Sequence, residues 1–284
     1  MLLKQYKHHF FDSLQGIQEE QEIESFFFIL TEYLHNLKRV DLALNPNFEL
    51  TEAEVEKWNF ILAELQQEKP IQYITGEAWF YGLQFEVNES TLIPRPETEE
   101  LVEWIVESQK SKVQSQKLEI LDIGTGTGCI PISLKANLPQ ANVSVIDVSE
   151  KALEVAKRNA ISNKVEINFI QTNILEVEDL NQYFDIIVSN PPYVRNLEKE
   201  EIKKNVLDYE PHLALFVEDT DALLFYRKIA QLALKNLTPN GLLFFEINQY
   251  LGKETVELLE NLGFKNIELK KDMYGNDRMV KSTR

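Results

Sequence analysis

From residue 94 to the C-terminus, short apolar runs alternate with amphipathic segments, and this alternation limits the fold more than any other feature of the chain. The runs at 118–123, 142–147, 166–170, 184–189, 241–247, 264–270 and 278–282 read as strands. Helical segments at 96–110, 128–137, 149–161, 221–237 and 252–262 precede or separate them, the last closed by Gly263 in a C-cap position. Strands alternating with helices predict an α/β fold with a mostly parallel sheet covered on both faces. The last two runs are joined by Asp272-Met273-Tyr274-Gly275-Asn276-Asp277 with no helix between, which predicts an antiparallel hairpin at the end of the sheet.

The N-terminal part follows a different period. Between residues 20 and 68, Ile23, Phe26, Phe27, Leu30, Tyr33, Leu34 and Leu37 form one helical stripe, and Val55, Trp58, Ile61, Leu62 and Leu65 form another, with Thr51 as its cap. A small helical bundle is the reading for residues 1–70. Residues 71–93, with Phe80-Tyr81-Gly82-Leu83-Gln84-Phe85, read as a hairpin linker, and 94–284 as the α/β domain. Residues 1–90 carry 6 Lys+Arg against 16 Asp+Glu, so the bundle is acidic; this is either a docking surface or a solvated face.

The formal net charge of -17 opposes a phosphate backbone as the main partner, because such partners are held by basic faces. Duplex DNA is therefore not expected. No apolar stretch approaches the roughly 20 residues of a membrane span. The start of the chain lacks the apolar core of a signal peptide. One cysteine, Cys129, leaves no internal disulfide, and with four histidines it forms no recognisable ligand cluster. The expectation is a cytoplasmic protein, a monomer, without a metal.

Ile120-Leu121-Asp122-Ile123-Gly124-Thr125-Gly126-Thr127-Gly128 is a strand running into a glycine-rich turn and a helix. Glycines there let the backbone approach a ligand, and the helix N-terminus turns its amides toward it. Asp147 ends the next strand, where a carboxylate can hold ribose hydroxyls. The spacing is Gly-x-Gly-x-Gly rather than the dinucleotide fingerprint, and no phosphate-cradling Gly-Lys-Ser/Thr is present. Asp122 beside the glycines suits a cationic, phosphate-free ligand, and S-adenosyl-L-methionine fits. This arrangement resembles the class I S-adenosylmethionine-dependent methyltransferases. The resemblance implies a seven-stranded, Rossmann-like sheet with a reversed final strand behind a small N-terminal helical domain.

Asn190-Pro191-Pro192-Tyr193 follows the apolar run Phe184–Ser189. An amide nitrogen is a weak nucleophile because its lone pair is delocalised. The Asn190 side-chain oxygen and the Pro191 carbonyl can accept its two N–H groups, and the prolines hold both acceptors in place. The Tyr193 ring can stack on the planar group. Asn190, Pro191, Pro192 and Tyr193 are thus the candidate catalytic and substrate-binding residues. No histidine is nominated as a base. The tetrapeptide resembles that of amino-methyltransferases acting on glutamine side chains, DNA bases or RNA guanine.

Three further stretches narrow this: Pro70-Ile71-Gln72-Tyr73-Ile74-Thr75-Gly76-Glu77, Leu92-Ile93-Pro94-Arg95-Pro96-Glu97-Thr98-Glu99, and Glu210-Pro211-His212-Leu213-Ala214-Leu215-Phe216. With them the chain resembles, nearly end to end, the peptide chain release factor N5-glutamine methyltransferases (the PrmC/HemK family). The resemblance implies methyl transfer to the glutamine of the Gly-Gly-Gln loop of class I release factors, S-adenosyl-L-homocysteine as by-product, and a helical domain that docks the factor. It implies a donor site at Asp122, Gly124, Thr125, Gly126, Thr127, Gly128, Asp147, Asn173, Ile174 and Asn190. Asn173 stands where many methyltransferases carry an acidic residue for the adenine amine, and its amide oxygen is the weaker acceptor. A ribosomal-protein glutamine methyltransferase is the alternative; a nucleic-acid amino-methyltransferase, which would need a basic surface and a base-flipping pocket, ranks below it. Pro96 and Glu97, Glu99 and Glu100 also suit the first turn of a helix.

Overall fold

A computed structural model describes residues 1–109 and 117–284; residue 110 of the expected 96–110 helix lies outside the described residues. The chain divides into two compact units, residues 1–76 with 203–209, and residues 77–202 with 210–284.

The first unit is helical: α1 (Leu3–Leu14), α2 (Glu20–His35), α3 (Arg39–Leu44), α4 (Glu52–Gln66) and α5 (Ile71–Thr75). It extends to Gly76, so α5 belongs to the helices rather than to the 71–93 stretch read as linker. Trp58 is wholly buried between Phe10 and Phe27, whose ring centroids lie 5.8 and 5.4 Å from it. Thr51 caps α4 as expected, accepting from the Glu54 amide at 3.3 Å while Glu54 accepts from the Thr51 amide at 2.7 Å. Two differences emerge. Tyr33 is exposed, although its stripe mates Ile23, Phe27 and Leu30 are buried. Helix α1 was not expected, yet Leu3, Tyr6, Phe10 and Leu14 follow helical spacing and are all buried. A late segment, Lys204–Tyr209, joins this unit through a Lys204–Glu68 ion pair at 3.2 Å and a Tyr209 hydroxyl bond to the Gln67 carbonyl at 3.0 Å.

The second unit opens with the hairpin β1 (Glu77–Phe80) and β2 (Leu83–Glu86), as expected for this stretch. There follow α6 (Pro96–Gln109), β3 (Glu119–Ile123), α7 (Cys129–Asn137), β4 (Asn142–Asp147), α8 (Glu150–Ser162), β5 (Asn168–Gln171) and β6 (Phe184–Ser189). After a two-residue strand pair, β7 (Val194–Arg195) with β8 (Phe216–Val217), come α9 (Leu224–Asn236), β9 (Leu237–Glu246), α10 (Gly252–Leu262), β10 (Lys265–Lys271) and β11 (Asp277–Thr283). The seven-stranded sheet has the order β10-β11-β9-β6-β3-β4-β5, parallel except for β11, which runs against both its neighbours. The reversed strand and the terminal hairpin are those expected.

The continuous apolar runs have a direct cause. Ile186 and Val188 of β6 pack into the core over α6 and α7, whereas Ile187 packs into the core under α9 and α10. A strand covered on both faces has no polar side to alternate with. One boundary differs from expectation: β9 begins at Leu237, not 241. Leu237 pairs with Phe184 and Leu242 with Ile186, so Thr238-Pro239-Asn240-Gly241 is an irregular insertion within the strand. Its composition reads as a turn, which is why the strand seemed to start after it.

Candidate active site

Parallel register brings two loop ends together. Ile123 of β3 pairs with Ser189 of β6, so Gly124 and Asn190 leave the sheet side by side at its carboxyl edge. A Cβ on Gly124 would stand 3.9 Å from the Asn190 carbonyl oxygen, and the residue has φ +79°, a region where a side chain is strained. Gly128, φ +80°, lets α7 approach α8: a Cβ there would meet Ile132 at 3.0 Å and Ala156 at 3.1 Å. The turn is held by the Gly124 amide, which donates to the Ile146 carbonyl at 2.8 Å. From α8, Asn159 donates to the Thr127 carbonyl at 3.0 Å and also bonds the Glu86 backbone. Nothing in the local sequence marks Asn159; it is legible only as a buried amide in a helix.

A cavity of about 520 Å³ opens over this edge, well within the size range of small-molecule sites. Gly124, Thr125, Gly126, Thr127, Asp147, Asn173, Ile174, Asn190, Pro191 and Pro192 line it. Three residues singled out from sequence do not. Gly128 sits below, as the cap of α7. Tyr193 is turned so that its hydroxyl donates to Glu246 at 3.1 Å, while its ring packs against the hydrophobic core. Asp122 is wholly buried behind the turn, and neither of its oxygens has a hydrogen-bond partner. Burial pushes its carboxyl up to about 7, with the Asp147 charge adding to the rise; the Thr125 hydroxyl is near enough to oppose this in part, although it completes no hydrogen bond.

Asp147 accepts from the Gly126 amide through one oxygen and from the Ser149 amide through the other, both at 2.9 Å. Burial raises its carboxyl above the ordinary value, and the amides of Ser149, Gly126 and Val148 oppose this. A carboxylate has about four lone-pair sites, so acceptor capacity remains. Asn173 spends its side-chain oxygen on the Leu175 amide at 3.1 Å and its NH₂ on Glu176 at 2.9 Å.

Around the tetrapeptide, three residues carried no site role in the sequence reading, although Thr98 falls within the Leu92–Glu99 stretch. Thr98, near the start of α6, accepts from the Asn190 NH₂ at 3.4 Å and donates to Glu246 at 2.6 Å. Glu246, 2% exposed at the end of β9, thus holds both Thr98 and Tyr193. Asn248 donates to the Tyr193 carbonyl at 3.0 Å and to Glu198 at 2.9 Å. Arg95 lines the cavity and forms an ion pair with buried Glu210, whose other oxygen accepts from the Ile93 amide at 3.2 Å. Glu210 therefore joins two of the sequence stretches noted above. Among the described residues, no group of three or more His, Cys, Asp or Glu side chains is disposed to hold a metal ion.

A glycine turn, an acidic second-strand end and an Asn-Pro-Pro-Tyr claw on this sheet order define a class I methyltransferase. A methyltransferase small-domain model matches residues 102–211, and a PrmC N-terminal domain model matches residues 8–76. A release factor glutamine methyltransferase of Flavobacterium psychrophilum is 64% identical over 281 residues, 99% of each chain. Its namesakes in Bacteroides thetaiotaomicron and Streptococcus pneumoniae are 40% and 39% identical, covering 96% and 93% of this chain and 96% and 92% of theirs. The chain belongs to the release factor glutamine methyltransferase family. In fold alone it is similar to a methyltransferase from Pyrococcus furiosus, with TM-score 0.50 and 20% identity over 72% of this chain and 89% of that one. The same holds for the Thermus thermophilus 16S rRNA N2 G1207 methyltransferase, with TM-score 0.52 and 18% identity over 73% and 49%.

Proposed function

We propose that this enzyme transfers a methyl group from S-adenosyl-L-methionine to the side-chain amide nitrogen of the glutamine in the Gly-Gly-Gln motif of class I peptide chain release factors. The observation that carries the reading is the juxtaposition of Asn190-Pro191-Pro192 with the glycine turn at one cavity, in a chain 64% identical to a release factor glutamine methyltransferase.

The cavity's own chemistry supports the donor. A narrow glycine turn admits a ligand close to the backbone, and the Asp147 carboxylate at the wall retains acceptor capacity for ribose hydroxyls. The buried, unpartnered Asp122 behind the turn, its carboxyl pushed up to about 7, is ionised only in part near neutral pH and adds partial negative character complementary to a cationic ligand. When bound, S-adenosyl-L-methionine supplies an electrophilic methyl group and leaves as S-adenosyl-L-homocysteine. Asn173 and Ile174 line the cavity and would take the adenine; Asn173's committed side-chain oxygen leaves only its spare lone pair for the adenine amine.

The residues of this chain do the remaining work. The Asn190 side-chain oxygen and the Pro191 carbonyl accept the two N–H groups of the glutamine amide and so orient its nitrogen. The product amide keeps one of those hydrogens, and the other leaves as a proton. Pro191 and Pro192 keep the acceptors fixed, so little reorganisation is needed during the reaction. The acidic helical unit serves to dock the release factor, in the cytoplasm, with the enzyme a monomer. A net charge of -17 opposes a nucleic acid in that role.

The test is transfer of labelled methyl to a purified bacterial release factor, beside the same factor with its loop glutamine replaced. Label on the native factor alone supports donor, substrate and acceptor residue together. Label only on ribosomal protein or nucleic acid supplied in parallel overturns the substrate.

A further inference from the structure

The Pro94–Glu99 stretch has a use beyond starting a helix. Thr98 is 3% exposed, and its hydroxyl lies between two groups: the Asn190 NH₂ at 3.4 Å and the Glu246 carboxylate at 2.6 Å. A hydroxyl has one hydrogen to give. Burial raises the Glu246 carboxyl, and Thr98, Arg278 and Tyr193 oppose this. With one oxygen receiving the Thr98 hydroxyl and the other the Tyr193 hydroxyl, Glu246 acts as acceptor on both and claims the Thr98 hydrogen. Toward Asn190, Thr98 can then act only as an acceptor. The Asn190 amide must present its NH₂ to Thr98, which turns its oxygen toward the cavity. Tyr193 reinforces the arrangement by donating to the other oxygen of Glu246 at 3.1 Å.

We propose that Thr98 and Glu246 are positioning residues that fix which end of the Asn190 amide faces the substrate. An asparagine side chain is nearly symmetric in shape, and nothing in Asn-Pro-Pro-Tyr itself decides between its two orientations. In the flipped orientation an NH₂ would meet the NH₂ of the incoming amide, donor against donor, and the site would repel the group it must hold. Fixing the proton polarity of one hydroxyl removes that orientation. The proposal rests on the reading above in which the Asn190 oxygen receives the substrate amide.

Thr98→Ser keeps the hydroxyl, and Thr98→Val keeps the shape without it. The expected result is kcat within threefold of the parent for Ser and about tenfold lower for Val, the worth of roughly one hydrogen bond. The donor Kd by calorimetry stays within threefold in both, while kcat/KM for release factor falls with Val at least as far as kcat, because the flipped amide opposes the incoming group. Rescue by Ser but not Val is a result a packing role would not give. A Val variant with kcat within threefold of the parent overturns the proposal, as does a Ser variant as slow as Val. Should Val not fold, Thr98→Ala is judged against Ser by the same criterion. Failure of the parent enzyme to label release factor would instead sink the proposed function, so the two failures are distinguishable.

Discussion

Asp147 and Gly126 are joined by a hydrogen bond of 2.9 Å from the glycine amide to the carboxylate, so the end of β4 holds the turn that follows β3. The same carboxylate caps the entry to α8 through Ser149. One side chain therefore shapes the cavity wall and remains available to a ligand within it. Asp147→Ala is expected to raise the donor Kd at least tenfold, since both the ribose acceptor and the brace on the turn are lost. Isothermal calorimetry measures it, and an unchanged Kd would refute the ribose assignment.

Asn190→Ala removes an acceptor for the reacting amide and leaves the turn and Asp147 intact. By analogy with the loss of one preorganised hydrogen-bonding group at a reacting centre, kcat should fall by about two orders of magnitude. The donor Kd should stay within about threefold. Single-turnover methyl transfer separates the two effects, and undiminished turnover would remove Asn190 from the site.

Much of this was legible in the sequence, for reasons that are local. The strand runs of β3, β4 and β6 place apolar residues on both faces because both faces are covered, and the glycine turn and the proline pair are punctuation that only a few conformations satisfy. What escaped depends on contacts far apart along the chain. Thr98 and Glu246 are separated by 148 positions and meet only because α6 packs against β9. Each alone looks like an ordinary helix-start threonine or strand-end carboxylate. Asp122 was read as a ligand group from its place beside the glycines. The pleat of β3, which sends alternate side chains to opposite faces, buries it behind the turn instead.

Asp122 leads to a dependence of stability on pH. Burial raises its carboxyl from 3.8 to about 7, so the folded protein holds this proton more tightly than the unfolded chain does. The associated stability is fully present below the unfolded value, declines as pH rises from about 4, and is gone above about 7. Asp122→Asn removes the titration. The difference in unfolding free energy between parent and variant should therefore shift by a few kcal/mol between pH 4 and 8, the parent losing ground as pH rises. Chemical denaturation of both proteins across that range measures it. Parallel stability curves would show that Asp122 keeps an ordinary carboxylate's behaviour.

In the helical unit, His35 carries a second titration of opposite sense. Its Nε2 accepts from the Trp58 indole N–H at 2.9 Å, so the ring proton resides on Nδ1, which faces Glu54 at 3.3 Å. Burial lowers the imidazole below its ordinary 6.5; Glu54 opposes this, and Lys57 adds slightly to it. A histidine whose folded value is depressed contributes stability present above about 6.5 and lost as pH falls through and below it. Protonation also places a hydrogen on Nε2, where the indole must donate. Once the folded imidazole protonates, below its ordinary 6.5, the Trp58 bond should break, at a cost of about 1 kcal/mol to the bundle that buries it. The Trp58 indole N–H resonance should accordingly be protected from solvent exchange at pH 7.5 and lose that protection as pH is lowered through the protonation of His35. His35→Gln, whose side-chain oxygen can accept at any pH, should keep the proton protected throughout. Protection in the parent that stays constant down to the pH at which the bundle unfolds would show that His35 does not titrate against Trp58.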